Sequence, residues 1–398
     1  FIPHKTTNVR MNYVREFVKH GYAVMVVDAR GSGASFGTRK MEFSPDEVAD
    51  AGHVMDWIVQ QKWSNGRVGS TGVSYVGTTA LQMVTNLHPA LKAIFPRFGI
   101  FDLYADTGMP GGVPQTPFID VWGDFTQAFD RNDFAPFGPL AKLAVKGIRP
   151  VKSKNGRRQL AEALEEHKDN YDIISGIRGV TFRDELAPGG EVSFDDCSAH
   201  VHSDKLANSD TAIYWLSGWY DAAIVNSSCK GMMTFSDKSH LTIGPWDHGP
   251  IDRVQPEGKP KKVKFDMFAE MLRFFDTHLK DMPNGIAEGP RVHYYTQIED
   301  RWRTADTWPP PEAKTEQLFL AADHSLTDDK PFEDRVRFKP PYTHRTGGNS
   351  RWNSQTLLYR NGGTHYTKRA EQAQELISFR LPIRHDIEIA GHPIVRLN

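Results

Sequence analysis

Apolar positions in the first hundred residues switch repeatedly between a period near 3.6 and short unbroken runs. "VRMNYVREFVKHGY" (9–22) reads as a helix closed near Gly21, and "AVMVVD" (23–28) as a short buried strand. "SPDEVADAGHVMDWIVQQ" (44–61) places Val48, Ala51, Met55, Ile58 and Val59 on one helical face. Its start carries Ser44 as a cap, Pro45 in the first turn and Glu47 where a capping-box acid reaches back. "RVGSTGVS" then reads as a strand, "YVGTTALQMVTNLH" as a helix ended by Pro89, and "LKAIFPRF" as another strand. Strands alternating with helices in this way predict βαβ units on a parallel sheet.

From about 102 to 205 the alternation is lost, Pro and Gly are frequent, and the clearest helix is "NGRRQLAEALEEH", with Leu160 and Leu164 on one face. Irregular stretches with helices of this kind are expected in a lid. The α/β rhythm resumes with "TAIYWLSGWYD", a helix near 225–235, "SHLTIGPWDH" and "KFDMFAEMLRFFDTHLK". In the last of these Phe265, Phe268, Leu272, Phe275 and Leu279 line one face. After Pro290 come short strands, "RVHYYTQ", "EQLFLAA", "LISFRL" and "IEIAGHPIVRL", separated by polar and Gly/Pro turns, which predict an all-β module. The expected organisation is a core over 1–101, an inserted lid over 102–205, the rest of the core over 206–285 and a β module over 286–398.

A chain of 398 residues, 39% hydrophobic and 24% charged, fits a soluble globular protein of two or three domains. No segment approaches the roughly 18 consecutive apolar residues of a membrane helix. The net charge is -1 and the basic residues are dispersed apart from clusters such as "KPKKVK" (259–264), which argues against nucleic acid as a partner. Cys197 and Cys229 neither build a disulfide framework nor suggest a metal site. "ARGSGASFGTRK" after the strand at 23–28 has the spacing GxGxxxG. The next helix start lies at Ser44, so no helix N-terminus faces a pyrophosphate and no dinucleotide cofactor is expected. The opening "FIPHKTTN" carries no secretory signal. Compartment and oligomeric state stay open, a homo-oligomer included.

"GSTGVSYVGTTALQ" sets Ser74 between a strand and a helix, with Gly72 two residues before it. A nucleophile on so sharp a turn needs a neighbour without a side chain, and the helix start offers N–H groups to a developing oxyanion. Val76 stands where the strict G-x-S-x-G form has glycine, and the next glycine is Gly77. A serine nucleophile needs an acid and a base, which follow in that order from later strand ends. "IYWLSGWYD" ends in Asp221 and "LTIGPWDHG" contains His248. Asp247 is the rival acid, but a sequence neighbour of the base is poorly placed to reach its far ring nitrogen.

"GVSYVG", "GWYD", "GPWDHG", "RWRTADTWPP" (301–310) and "DARGSGAS" (28–35) together resemble the family of cocaine-esterase-like and X-Pro dipeptidyl-peptidase hydrolases. The resemblance runs over essentially the whole chain. It implies an α/β-hydrolase core, a helical lid inserted after the sixth strand and a C-terminal jelly roll. It further implies Ser74 as nucleophile, His248 as general base, Asp221 as its orienting carboxylate and the Tyr75 backbone N–H as an oxyanion donor. Asp28, Arg30 and Ser35 would support the site from below. Similar proteins begin with further strands, one of them central in the sheet, and carry a tyrosine hydroxyl as second oxyanion donor that has no counterpart at "FIPHKTTN". "GHPIVRLN" likewise stops inside the β module. The expectation is therefore an internal fragment of a longer protein, its core lacking the first strands and its jelly roll incomplete.

The expected reaction is acyl transfer from a small ester or amide, or from a short peptide, with an X-Pro dipeptidyl-peptidase as the alternative. A non-catalytic binding protein that uses the jelly roll is the alternative of another class. Relatives that cleave α-amino acid esters hold the ammonium with carboxylates shortly after the triad acid, whereas Ala222, Ala223 and Ile224 follow Asp221 here. Asp102, Asp106, Asp120 and Asp124 could grip an amine from the lid or stand solvated in loops. Trp122, Phe125, Phe129, Trp219 and Tyr220 could line an acyl pocket or pack the lid. Backbone groups left without a ladder partner cost about 1–3 kcal/mol each when buried. Expressed alone, residues 1–398 are therefore expected to melt without cooperativity and to turn over esters poorly; a sharp calorimetric transition with full turnover overturns this.

Overall fold

In the computed structural model the described residues are 13–139, 145, 147–248, 263–332, 335–339, 352 and 376–397. Helix α1 (13–19) buries Phe17 against the rings of Phe268 and Phe275, at 5.2 and 5.9 Å between centroids. The run 23–28 follows, and here sequence and structure part: it forms no strand. Met25, Val26 and Val27 are 42%, 76% and 55% exposed. An apolar run becomes a strand only where a neighbour supplies a ladder, and among the described residues no strand lies beside this one.

Helix α2 (Pro45–Val59) is followed by β1 (Val68–Val73), α3 (Tyr75–Gln82) and β2 (Leu91–Arg97). The chain then enters the lid, with α4 (Thr116–Asp130), α5 (Gly156–Glu166), α6 (Ile173–Arg178) and α7 (Ser203–Asn208). It returns to the sheet with β3 (Ala212–Gly218), α8 (Ile224–Thr234), β4 (Ser239–Gly244) and α9 (Met267–Lys280). β5 (Val292–Thr296) and β6 (Arg301–Ala305) complete a six-stranded sheet in the order β1-β2-β3-β4-β5-β6. β1 to β5 are parallel and β6 is antiparallel to β5.

The first strand expected of the β module, "RVHYYTQ", thus extends the core sheet as β5, and β6 continues it in the stretch "RWRTADTWPP", where the sequence pattern predicts no strand. β5 finds its ladder on β4, with Leu241 opposite Val292. Beyond them β7 (Phe319–Leu320) pairs with β8 (Leu326–Thr327), and an isolated bridge joins Ser325 to Arg380. "LISFRL" and "IEIAGHPIVRL" otherwise run as irregular chain, held to the core side by Tyr294 Oη donating to Glu388 and by Trp308 Nε1 donating to His392.

Strand residues alternate between two cores, as both faces of a parallel sheet are covered. Ala93, Phe95, Tyr214 and Leu216 pack with Met271, Phe274 and Phe275 of α9 and with Ile119, Ile177 and Phe194 of the lid. Ile94, Ile213, Trp215, Leu241 and Ile243 pack on the other side with Met55, Leu81, Val225 and Met232. Phe95 and Tyr214 stack at 4.3 Å across β2 and β3.

One buried ion pair ties lid to core. Arg39, in the loop before α2, donates through both terminal nitrogens to Asp130 at the end of α4, at 3.3 and 2.6 Å. Glu42 lies 3.8 Å from its Nε, and these carboxylates hold the guanidinium in its charged form despite burial. Removing one partner of such a pair costs about 3–5 kcal/mol because the other charge stays buried. Asp130→Ala is expected to lower the unfolding free energy by about that much, read from the urea midpoint at unchanged slope.

Candidate active site

The parallel register fixes where the chain turns. Val73 lies opposite Arg97, and Gly218 opposite Gly244, so β1, β2, β3 and β4 end along one rim of the sheet. Ser74 follows β1 directly, Phe98 follows β2, Asp221 comes three residues after β3 and His248 four after β4.

Ser74 has φ 61° and ψ -121°, a conformation rarely adopted by a residue with a side chain. Its N–H donates to the Arg97 carbonyl and its own carbonyl accepts from the Thr78 N–H, both at 2.9 Å, so strand and helix fix the turn from both sides. The turn also needs two glycines. A Cβ on Gly72 would stand 2.3 Å from Val76 Cγ1, and one on Gly77 2.6 Å from the Arg97 carbonyl oxygen. Gly77 thus provides the close approach of α3 to the sheet, which is why Val76 is tolerated one position earlier, with its side chain exposed. Tyr75 opens α3, and the first N–H groups of a helix have no partner within it.

His248 and Asp221 are both buried, Asp221 completely. His248 Nδ1 lies 2.9 and 3.0 Å from the two Asp221 carboxylate oxygens. A carboxylate accepts there, so Nδ1 carries a proton and Nε2, on the other edge of the ring, is left as the basic nitrogen. Phe98 packs edge-on against the imidazole at 5.6 Å.

A pocket open to solvent lies in front of Ser74 and Tyr75. Phe43, Ile100, Leu103, Phe118, Trp122 and Phe194 give it apolar walls, and Glu42 is its carboxylate. Glu42 accepts from Trp122 Nε1 at 3.2 Å. Of the aromatics expected from the sequence, Trp122 lines this pocket. Phe125 stacks on Phe137, Phe129 packs edge-on against Phe134, Trp219 donates to the Tyr295 carbonyl, and Tyr220 donates to Gln297. The lid aspartates are engaged away from the pocket: Asp102 with Arg183, Asp120 with Arg178, and buried Asp106 with Ser227 and Lys230. Asp124 is exposed.

The glycine loop is held from inside the protein. Arg30 pairs with Asp50 at 2.6 Å, the Ala34 N–H donates to Asp28, and Ser35 Oγ donates to the Asp28 carbonyl. The Gly37 N–H donates to Glu166, and Asn170 donates to the Gly31 carbonyl and accepts from the Arg39 N–H. Of the N–H groups that a phosphate would need, those of Gly37 and Arg39 are taken by the lid residues Glu166 and Asn170, and that of Ala34 by Asp28 of the loop itself. Sequence reasoning missed Glu47. It does not close a capping box on Ser44; its carboxylate accepts from the Phe43 N–H at 2.9 Å and from the Tyr75 hydroxyl at 2.7 and 2.8 Å. Burial raises its pKa to about 6. The one available signal was a glutamate on the sheet-facing side of α2.

Among the described residues no cluster of His, Cys, Asp and Glu could hold a metal ion, and no helix is long and apolar enough to cross a membrane.

Residues 3–250 match the family model described as X-Pro dipeptidyl-peptidase (S15 family), and residues 284–398 the model of the X-Pro dipeptidyl-peptidase C-terminal non-catalytic domain. A Mycobacterium bovis protein assigned as a serine esterase is 39% identical over 406 residues, covering 96% of this chain and 64% of its own length. The cocaine esterase of a Rhodococcus species is 29% identical over 327 residues, covering 77% of this chain and 53% of its own. The chain therefore spans about half to two thirds of the length of these relatives. A CocE/NonD family hydrolase from Staphylococcus aureus superposes with a TM-score of 0.54 at 21% identity, over 76% of this chain and 46% of that one, and shares the fold.

Gly77→Ala is expected to cost about 1–3 kcal/mol through overpacking, measured as a drop in the urea midpoint.

Proposed function

The chain belongs to the X-Pro dipeptidyl-peptidase (S15) family of hydrolases, and from that premise we propose that it cleaves acyl esters or amides by serine chemistry at Ser74. The observation that carries this reading is the buried contact of His248 Nδ1 with Asp221 on the rim where Ser74 sits in its strained turn. Ser74 Oγ attacks the acyl carbonyl and passes its proton to His248 Nε2. Asp221 keeps the ring in the tautomer that can accept it and offsets the imidazolium charge. The Tyr75 N–H donates to the oxyanion. Collapse of the tetrahedral adduct breaks the bond to the alcohol or amine, which leaves with the proton from His248. Water, deprotonated by His248, then attacks the acyl-enzyme, releases the acid and restores Ser74.

An apolar acyl group suits the walls of the pocket, and the 96% coverage of this chain by the mycobacterial relative favours the esterase branch. The engagement of Asp102, Asp106 and Asp120 by basic side chains weighs against an amine grip from the lid. One observation favours a second reading. Glu42 is a buried carboxylate in the pocket wall, where the ammonium of an X-Pro substrate could reach it.

The test is a panel of p-nitrophenyl esters and X-Pro anilides with the full-length protein. Ser74→Ala is expected to abolish turnover and labelling by a fluorophosphonate, and Asp221→Asn to lower kcat about 10⁴-fold by disturbing the tautomer. Turnover that survives Ser74→Ala overturns the mechanism, whereas wild type with neither turnover nor fluorophosphonate labelling leaves a binding protein as the reading. Loss of anilide turnover alone in Glu42→Gln decides for the peptidase.

A further inference from the structure

Four rings stand in a row beside the proposed nucleophile. Phe43 and Tyr75 lie 4.4 Å apart, Tyr75 and Trp122 stack at 6.0 Å, and Trp122 and Phe118 at 6.1 Å. All four side chains line the pocket. The row spans three separate stretches of chain: the loop before α2, the start of α3 and the lid helix α4. Apolar stacking alone allows such rings to slide, so the hydrogen bonds at its polar edge decide its register.

At that edge one carboxylate accepts from two donors: the Tyr75 hydroxyl, whose proton both Glu47 oxygens share, and the Phe43 N–H. Phe43 has φ 63°, a left-handed conformation that a residue with Cβ holds only under constraint. Tyr75 is the residue whose backbone N–H faces the oxyanion in the reading above. One side chain thus grips both ends of the step from pocket wall to helix start.

We propose that Glu47 is a positioning residue for acyl transfer: by holding the Tyr75 hydroxyl and the Phe43 amide together, it sets the Tyr75 N–H against the developing oxyanion and fixes the Phe43 wall of the acyl pocket. The inference rests on Ser74 being the nucleophile. Glu47 touches neither substrate nor the reacting atoms and acts through Tyr75.

The grip depends on ionisation. A carboxylate accepts the Tyr75 hydroxyl and the Phe43 N–H as charge-assisted hydrogen bonds, whereas in the neutral acid Tyr75 must accept the Glu47 proton or share the remaining carbonyl oxygen, and both contacts become the weaker neutral kind. Burial favours the neutral acid and raises the pKa to about 6, against the contacts from Tyr75 and Phe43 and the charge of Arg39, with Glu42 adding to the rise. The other groups that feel this charge are Arg30 in the glycine loop and the Cys197 thiol of the lid, while Asp130 acts through Arg39. Below pH 6 the grip is therefore weakened, and above it complete.

The experiment compares wild type, Glu47→Gln, Tyr75→Phe and the double variant of the full-length protein, with p-nitrophenyl acetate and with a fluorophosphonate as titrant of Ser74. Each single variant is expected to lose about tenfold or more in kcat, a fraction of what an oxyanion donor contributes, with KM held within about twofold. The double variant is expected to lose no more than the worse single one, because both break the same contact. In wild type the acid limb of log kcat against pH carries, besides the fall that protonation of the general base His248 imposes, a further inflection near 6 that is gone in Glu47→Gln. Additive losses, unchanged kcat, or the same inflection in Glu47→Gln overturn the proposal. If Glu47→Gln fails to fold, Tyr75→Phe, which removes one oxygen without changing shape, decides by its kcat alone. Failure of the underlying reading is told apart by the titrant: wild type that is not labelled at Ser74 sinks both, while labelled wild type with unaffected variants sinks the Glu47 inference only.

Discussion

Parallel strands that stop in register are the constraint on which the site depends. Val73 pairs with Arg97 and Gly218 with Gly244. The turns that carry Ser74, Asp221 and His248 are therefore delivered to the same rim by backbone hydrogen bonds, before any side chain interacts. The ladder also explains the price in conformation: Ser74, Phe98 and Ala222 all have positive φ at the ends of successive strands, where the chain must leave the sheet sharply. Such strain persists only where its surroundings over-determine it. Around Ser74 those surroundings are the Arg97 carbonyl, the α3 start and the space left by Gly72 and Gly77.

The lid is joined to this rim by the apolar packing of Ile119, Ile177 and Phe194 and by a set of polar contacts, and together these shape the pocket. Arg39 on Asp130, Asn170 on the glycine loop and Glu42 on Trp122 hold α4 and the segment near 166–171 against the loop before α2. The apolar pocket lies between the two. Its walls come from both sides, so lid placement and acyl fit are one property. The glycine loop, whose GxGxxxG spacing already speaks against a pyrophosphate site, is a socket for the lid.

Much of the core was legible in the sequence because its signals are local. The 3.6 period of α9, the glycine before Ser74 and the aspartate and histidine closing two apolar strands can each be read from a few consecutive residues. What was not legible depends on partners distant in the chain. "AVMVVD" has the composition of a strand and lacks a neighbour. Val292–Thr296 reads as the first strand of the C-terminal module, and the sequence does not show that it also pairs with β4 as the fifth parallel strand. Trp219 and Tyr220, just before Asp221, were expected at the pocket, yet their polar atoms reach Tyr295 in β5 and Gln297 just after it. Glu47 has a helix-start position that fits a cap, and only the approach of Tyr75, 28 residues on, turns it inward.

The central claim, that one serine is activated by the buried Asp221 and His248 pair, is tested most directly by mapping where a fluorophosphonate attaches to the full-length protein. The account predicts a single adduct, on the peptide carrying Ser74, formed quickly in wild type and slowed at least a hundredfold, on the order of what a general base contributes, in His248→Ala. An adduct on another serine, or labelling of Ser74 at the same rate without the imidazole, contradicts it.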